Sequence, residues 1–411
     1  VTDQVRVIRT ERIWLKSNPI LGHLCHISKN LFNETNYLVR QSYFTSGKRI
    51  KGIDLRNNLQ DSLNFRSLPQ VTALKIIAVV EEAWKSFFAA VADWKRHPEK
   101  YFKQPRPPRY KDKAGEFLLW YSKAQIKSIA DLLVIPQASN LTLKPRIASY
   151  QTMLGIRIIP QGVGYIAEIL YAKYVPAIPK GKPTRVVGID LGLTNLITMV
   201  NNIGKEPIAV KGGVVKSINQ YYNKERVHLH SIYSRQEIGN GDKLRKLTAK
   251  RKRKLRNHFH EVSSSVTRWC QQHSIDAVVI GHNKLWKQHI NLGKRVNQNF
   301  VSIPFDWFLN QLKYKLNDVG IRVICVNESY TSKCSFLDVE SISQKPTYKG
   351  ERITRGLYLS SQGRIINSDV NGGYNILKKA VPNAFSMNET VDGIEGVWLH
   401  PVRLKQTLAT S

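Results

Sequence analysis

Two aspartates, at positions 190 and 369, stand where an α/β fold presents side chains for chemistry. Asp190 closes the apolar run "RVVGID", between Gly188 and Gly192, and the carboxyl ends of sheet strands are where such folds gather ligands. Asp369 lies in the first turn of "NSDVNGGYNILKKA", a helix that Asn367 or Ser368 is placed to cap; the macrodipole favours a carboxylate there. Each aspartate alone is an ordinary acid, one at a strand end and one at a helix start. Two further strand tips lie between them in the chain: "DAVVIG" ends in Gly281 and "IRVICVNE" ends in Glu328. Whether these positions form a site depends on the elements that carry them.

Those elements belong to a chain of 411 residues, with room for about two or three domains. Hydrophobic residues make up 42%, enough for packed cores. Lys and Arg number 63 against 30 Asp and Glu, a formal charge of +33. Such an excess repels itself unless a polyanion neutralises it, and nucleic acid is the partner it suggests. No apolar run approaches the ~20 residues of a membrane span, and the N-terminus does not read as a signal peptide. Cys25, Cys270, Cys325 and Cys334 are scattered with no C-x-x-C pair, which points to a reducing, cytosolic compartment and away from a Cys-based zinc ribbon.

"QVRVIRTERIWLK" alternates as a strand. From Pro19 to about Lys95 the period is helical, with Leu24, Ile27, Leu31 and Leu38 on one stripe. Leu74, Ile77, Val80, Trp84, Phe87, Phe88 and Val91 form another. "FKQPRPPRYKDK" is a rigid basic connector. The runs "EFLLWYSK", "LLVIP", "LTLKP", "MLGIRIIP" and "GYIAEILYAKY" suggest a small antiparallel barrel that the first strand completes. Strands and helices then alternate as in an α/β sheet. Between them runs "KLRKLTAKRKRKLR", nine of whose fourteen residues are Lys or Arg and none acidic. Its helical stripe of Leu244, Leu247 and Leu255 continues through Phe259, Val262, Val266 and Trp269, so one face packs while Lys250, Arg251, Lys252, Arg253 and Lys254 meet polyanion.

In order, "GIDLGLTN", the basic helical stretch, the strand ending near Gly281, "ESYTSKCS" and "DVNGGYNILKK" resemble the successive blocks of TnpB, a family of transposon-encoded, RNA-guided DNA nucleases related to the type V CRISPR effectors. The resemblance spans nearly the whole chain; "YTSK" before a Cys and "D-x-N-x-x-x-N-I" are its more specific parts. It implies an α/β RNase H-like (RuvC) nuclease domain at 184–333 and 367–385, with a target nucleic-acid-binding insert at 334–366. A wedge-like β-barrel at 1–16 and 114–180 holds an inserted helical recognition domain at 17–113, and 386–411 is a tail. It further implies Mg²⁺-dependent cleavage, with acidic residues holding two ions ~4 Å apart. Asp190 and Asp369 match the family's acids, while Asn371 and Asn375 match as supports. Where the family has a glutamate, this chain has Gly281. The adjacent strand lies ~4.8 Å away, and a glycine tip leaves space for its side chain, so Glu328 is expected to have taken over. The expected site, catalytic and Mg²⁺-binding at once, is Asp190, Glu328 and Asp369. A single Cys between 334 and 369 excludes a four-ligand zinc site.

The partners implied are a guide RNA derived from the transposon end and double-stranded target DNA, with no membrane. A monomer in a prokaryotic cytoplasm, associated with the nucleoid, is expected. Lys333, Lys345, Lys349, Arg352 and Arg355 are candidates for nucleic-acid contact beside the insert, and Tyr101, Phe102, Tyr110, Trp120 and Tyr121 for base stacking. The principal alternative is a nuclease-inactive RNA-guided repressor or targeting module, for which Gly281 speaks. "GIDLGLTN" also resembles the phosphate loop of the actin and sugar-kinase superfamily, but nothing here supplies that group's second glycine-rich loop. A strand-joining transposase is disfavoured, because TnpB-like proteins are accessory to a separate one.

Overall fold

The computed structural model describes residues 3–47, 50, 52–237, 239, 241–282, 303–354, 356–385 and 401–403. The chain divides into two units, Arg6–Tyr174 and Val175–Ser411, the latter with Val1–Val5.

The first unit begins with β1 (Gln4–Leu15) and the long α1 (Pro19–Ser46). Asn18 caps α1, its Oδ1 accepting from the N–H groups of Ile20 and Leu21 at 2.9 and 3.2 Å, and Gly47 ends it at φ +66°. Short α2 (Gly52–Leu59) and α3 (Leu63–Arg66) lead to α4 (Gln70–Arg96). The second stripe read from the sequence supplies core: Ile77, Val80, Trp84 and Phe87 are buried. On α1 the buried face is rotated slightly, to Leu21, Cys25, Leu31, Phe32 and Val39, with Leu24, Ile27 and Leu38 at its edge. The buried Trp84 indole donates to Asn36 Oδ1 at 2.8 Å, tying the two helices.

The basic connector has its backbone strapped along α1. Lys29, Asn33, Asn36 and Arg40 donate to the carbonyls of Lys113, Lys111 and Pro108 at 2.7–3.2 Å. The connector lies outside any sheet or helix, so side chains supply donors to these carbonyls.

β2 (Leu119–Ser122), β6 (Met153–Pro160) and β7 (Tyr165–Pro176) join β1 in a four-stranded sheet of order β1-β7-β6-β2. β3 (Lys127–Ile129), β4 (Leu132–Ile135) and β5 (Leu141–Leu143) form a separate three-stranded sheet. The expected barrel is thus built as two antiparallel sheets among the described residues. Helices and strands share one core, which contains Leu31, Trp84, Tyr121, Ile156 and Ile169 together.

The second unit is a mixed α/β layer structure. β8 (Val186–Leu191), β9 (Asn195–Asn201) and β10 (Ile208–Lys211) run antiparallel in succession. The hairpin of α5 (Gly213–Arg235) and α6 (Asp242–Gln272) leads to β11 (Ala277–Gly281), and α7 (Phe305–Asn317) leads to β12 (Arg322–Val326). β13 (Leu357–Leu359) and β14 (Ile365–Asn367) pair as a small hairpin before α8 (Ser368–Ala380), and β15 (Val402–Arg403) adds an edge. The sheet order is β12-β11-β8-β9-β10-β15, with β8, β11 and β12 parallel. It is a mixed sheet in which β9 alone runs against its neighbours.

One sheet face packs on α6 and α7 through Phe259, Val262, Phe308 and Leu312. The other packs on α8 through Val370, Tyr374 and Leu377. A Cβ on Gly188 would lie 2.6 Å from the Gly373 carbonyl oxygen, so a bare backbone there lets α8 lie close against β8. That approach brings the start of α8 to the tip of β8.

Candidate functional site

Parallel strands end at the same rim, and register carries this through: Ile189 pairs with Ile280, and Ile280 with Cys325. Asp190 and Gly281 therefore stand level, and Glu328 follows two residues past the end of β12. β9 runs the other way, so it starts at this rim with Asn195.

The half-buried Asp190 faces the first turn of α8: a Cβ on Gly372 would lie 3.2 Å from Asp190 Oδ2. In the same turn, Asp369 Oδ2 accepts a hydrogen bond from Asn195 Nδ2 at 2.8 Å. The cap of α8 is Asn367, whose Oδ1 accepts from the N–H groups of Asp369 and Val370 at 3.0 and 3.3 Å. At β11's tip, a Cβ on Gly281 would lie 3.2 Å from Glu328 Oε2 and 2.5 Å from Ile376 Cδ1. Glu328 thus brings its carboxylate to the space that a side chain at 281 would occupy.

Electrostatics ties the three acids together. Burial pushes the Asp190 carboxyl well above the ordinary range, and the charges of Asp369 and Glu328 push it further. The Leu191 N–H and the charge of Arg352 act in the opposite direction. Burial alone raises Glu328. Among the described residues, no three His, Cys, Asp or Glu side chains converge to hold one ion. Even so, the donor set fits hard divalent cations. The charges of Asp369 and Glu328 raise the cost of ionising Asp190, at a rim where Asn195 Oδ1 is buried without a hydrogen-bond partner. Mg²⁺ takes one or two carboxylates and fills its shell with water and substrate phosphate oxygens, so a fully closed protein cage is not required.

Asn371 and Asn375, one turn apart on α8 and fully buried, hold the turn that follows Glu328. Asn375 donates to the carbonyls of Thr331 and Cys334 at 2.9 and 2.8 Å. Asn371 donates to the Cys334 carbonyl at 2.9 Å and accepts from the Phe336 N–H at 2.9 Å. Thr331 in turn donates to the Glu328 carbonyl through Oγ1 and N–H, at 2.7 and 3.1 Å. The helix that carries Asp369 therefore positions the chain just after Glu328. Asn195 is the site residue that sequence reading did not single out. Its one available sign was its place within "GIDLGLTN", at the start of the returning strand.

The basic candidates divide. Lys250, Lys252, Arg253 and Lys254 are exposed on α6. Arg251 instead turns to α5, where its Nε donates to Asn219 Oδ1 at 2.8 Å and its guanidinium lies 4.8 Å from the Tyr222 ring. Lys333 is exposed, with Nζ 5.9 Å from the Tyr348 ring. Lys345 is committed internally, 3.0 Å from the buried Glu340 carboxylate. Arg352 is exposed near enough for its charge to act on Asp190, and Arg355 lies outside the described residues. Of the proposed stacking aromatics, Tyr121 is core at 0% exposure and Phe102 is exposed at 95%, with Lys103 Nζ 5.6 Å from its ring.

Residues 168–287 match the family OrfB_IS605, described as a probable transposase, and residues 305–376 match the Cas12f1-like TNB domain. A curated relative, the TnpB-like protein ORF457 of Acidianus two-tailed virus, is 25% identical over 401 residues, covering 88% of this chain and 83% of its own length. These matches support the TnpB family for this chain. Among solved structures, a Cas12f1–sgRNA–target DNA complex gives a TM-score of 0.46 at 11% identity, covering 90% of this chain and 98% of that one. The mini-RNA-guided endonuclease Cas_phi3 gives 0.48 at 9%, covering 91% and 92%.

The segment after Cys334 is organised around Glu340. Its carboxylate accepts from Ser335 N–H at 2.8 Å, Lys345 Nζ at 3.0 Å and Lys349 N–H at 3.3 Å, and the Glu340 backbone carbonyl accepts from Lys378 Nζ at 3.2 Å. The buried Cys334 thiol points to the carbonyls of Ser341 and Ser343, at 3.6 and 3.9 Å. A buried carboxylate with three donors thus holds this segment together.

Proposed function

We propose that the chain is an RNA-guided DNA endonuclease of a transposable element. On this reading it hydrolyses phosphodiester bonds of target DNA at the rim formed by Asp190, Glu328 and Asp369, beside a short flanking motif. One observation carries it: the Glu328 carboxylate reaches the space at Gly281, 3.2 Å from where a Cβ would stand, so the site keeps three acids although one strand tip has lost its own. Bound divalent cations would polarise the phosphoryl oxygens and lower the pKa of an attacking water.

This chain's residues do the rest. Burial favours the protonated form of Asp190 and of Glu328, and both must give up that proton before they ligate. Asn195 fixes the Asp369 carboxylate through Oδ2, and Asn375 fixes the turn after Glu328. Lys250, Lys252, Arg253 and Lys254 supply an exposed basic row for backbone phosphates. Base pairing with the guide selects the sequence, so the protein needs no helix dedicated to base edges.

The test compares wild type with Glu328→Ala and Asp190→Ala, each purified with RNA, for Mg²⁺-dependent cleavage of matched duplex DNA. Loss of cleavage in both variants with binding intact supports the reading. Equal cleavage by wild type and Glu328→Ala overturns the role of Glu328. Binding without cleavage by wild type favours the second reading, a targeting module that no longer cuts. The observation on that side is that no three ligand groups converge on one point among the described residues.

A further inference from the structure

The interior of β9 reads "LITMV", and Thr198 is its one polar side chain. Thr198 is 1% exposed, and its Oγ1 is buried without a hydrogen-bond partner among the described residues. Valine has the same shape and no hydroxyl to desolvate, so an unpartnered threonine at this position costs free energy. A buried polar atom kept at that cost calls for a role.

Register names the neighbour that such a role would serve. Thr198 stands directly opposite Asp190 on β8 and Ala209 on β10. Directly opposed residues share a face, with Cβ atoms about 4.5–5.5 Å apart, which brings a hydroxyl within reach of a carboxylate. The shared face is the one beneath α8. Two residues along, the opposed pair Gly188 and Val200 meets Gly373, and a Cβ on Gly372 would lie 3.2 Å from Asp190 Oδ2. Ala209 and Val200 are apolar, and Gly372 and Gly373 carry no side chain. Among these neighbours the acceptor left for Thr198 is the Asp190 carboxylate.

A ligating carboxylate has use for such a donor. One of its oxygens meets the ion, and the remaining lone pairs fix its orientation only if other groups hold them. The Leu191 N–H is one donor to Asp190. A hydroxyl adds a second without adding charge, so it does not compete with a cation as a lysine at the same position would.

We propose that Thr198 is a positioning residue of the acid rim: turned about χ1, its hydroxyl donates to the Asp190 carboxylate and holds it in the orientation in which a divalent ion meets it. Staggered χ1 wells place Oγ1 at alternative positions about the same Cβ, so the change needs no movement of the strand. The hydroxyl neither ligates the ion nor touches substrate. The proposal rests on the reading of Asp190 as an ion ligand and adds a residue of β9 that this reading leaves without a part.

The experiment titrates Mn²⁺ into the full chain freed of RNA, with free ion read by electron paramagnetic resonance and ion-free melting recorded alongside. Wild type is compared with Thr198→Val, Thr198→Ser and Asp190→Ala. In Thr198→Val the affinity for Mn²⁺ should fall about 10- to 100-fold, the range for loss of an outer-shell partner. Its ion-free Tm should equal or exceed that of wild type, because a buried unpartnered hydroxyl has gone. Thr198→Ser, which keeps the donor, should restore the affinity towards wild type. Single-turnover cleavage by Thr198→Val should recover as Mg²⁺ is raised, since the defect lies in holding the ion. Wild-type ion affinity in Thr198→Val, with Asp190→Ala impaired, overturns the proposal and leaves the ion-ligand reading of Asp190 standing. Equal losses in the Val and Ser variants, with ion-free Tm lowered in both, mark Thr198 as packing only and also overturn it. If wild type binds Mn²⁺ no better than Asp190→Ala, the ion-ligand reading itself fails and the proposal falls with it.

Discussion

Replacing Gly281 by alanine adds one methyl group beside the carboxylate of Glu328, the third acid of the proposed site. The new Cβ would lie 2.5 Å from Ile376 Cδ1, 3.0 Å from its Cγ1 and 3.2 Å from Glu328 Oε2. Cδ1 is the free end of a side chain, but Ile376 is 0% exposed, so it has little room to swing. Overpacking of this kind costs about 1–3 kcal/mol. In a domain of this size each kcal/mol lowers Tm by roughly 2–4 °C, so the expected fall is about 2–12 °C. The carboxylate of Glu328 must also give way by a few tenths of an ångström. Misplacement on the scale of 1 Å costs up to ~100-fold in rate, so a ~10-fold loss of single-turnover cleavage is expected at saturating Mg²⁺ and target. Ile376→Val removes the nearest atom and should restore most of the Tm in the double variant. Cleavage by Gly281→Ala at the wild-type rate would refute the placement of Glu328 at this tip, whatever the melting data show.

Four further outcomes follow from the same geometry. Asn375→Leu leaves the Thr331 carbonyl without its Asn375 donor and removes one of two donors to Cys334, at a cost of about 2–4 kcal/mol; urea titration reads the loss, and an unchanged midpoint contradicts the positioning role. Asp190 has its folded-state pKa raised, so its contribution to stability is present below the ordinary aspartate range and lost as pH rises through the folded value. Metal-free Tm should decline over that window, the rise in Tm on adding Mg²⁺ should grow with pH, and both trends should weaken in Asp190→Asn. Changing Lys250, Lys252, Arg253 and Lys254 together to Gln should flatten the salt dependence of duplex binding by up to about 3–4 in log–log slope. Arg251→Gln should leave that slope unchanged and instead lower stability by about 1–2 kcal/mol, because its guanidinium is committed to Asn219 and Tyr222.

Some of this architecture is written along the chain in a form that needs no coordinates. Trp84 and Phe87 announce a core face through helical period, and both are buried. "RVVGID", "DAVVIG" and "IRVICVNE" announce strands because unbroken apolar runs bounded by polar tips have few other homes, and all three lie side by side in one sheet. The Asn367 cap and the acid behind it are equally local, since capping is settled within three residues. Charge composition is local in the same sense: +33 is a property of the residues, whatever their arrangement.

Other features depend on distances between residues far apart in sequence, and there the linear chain is silent. Nothing in "KRKRK" distinguishes Arg251 from its neighbours; only the packing of α6 on α5 turns that one guanidinium inward. Lys345 resembles any loop lysine until folding brings the buried Glu340 to it. The role of Asn195 depends on an antiparallel return that sets it beside an aspartate 174 positions away. The expected barrel opened into two sheets because strand period specifies which face is buried, whereas closure is decided by which edges meet. Sequence determined which side chains carry charge and which segments become strands and helices, since those follow from spacing within a few residues. The tertiary structure decided which of those charges face one another and which face water, since Coulomb energies and steric room depend on separations that only the folded chain defines.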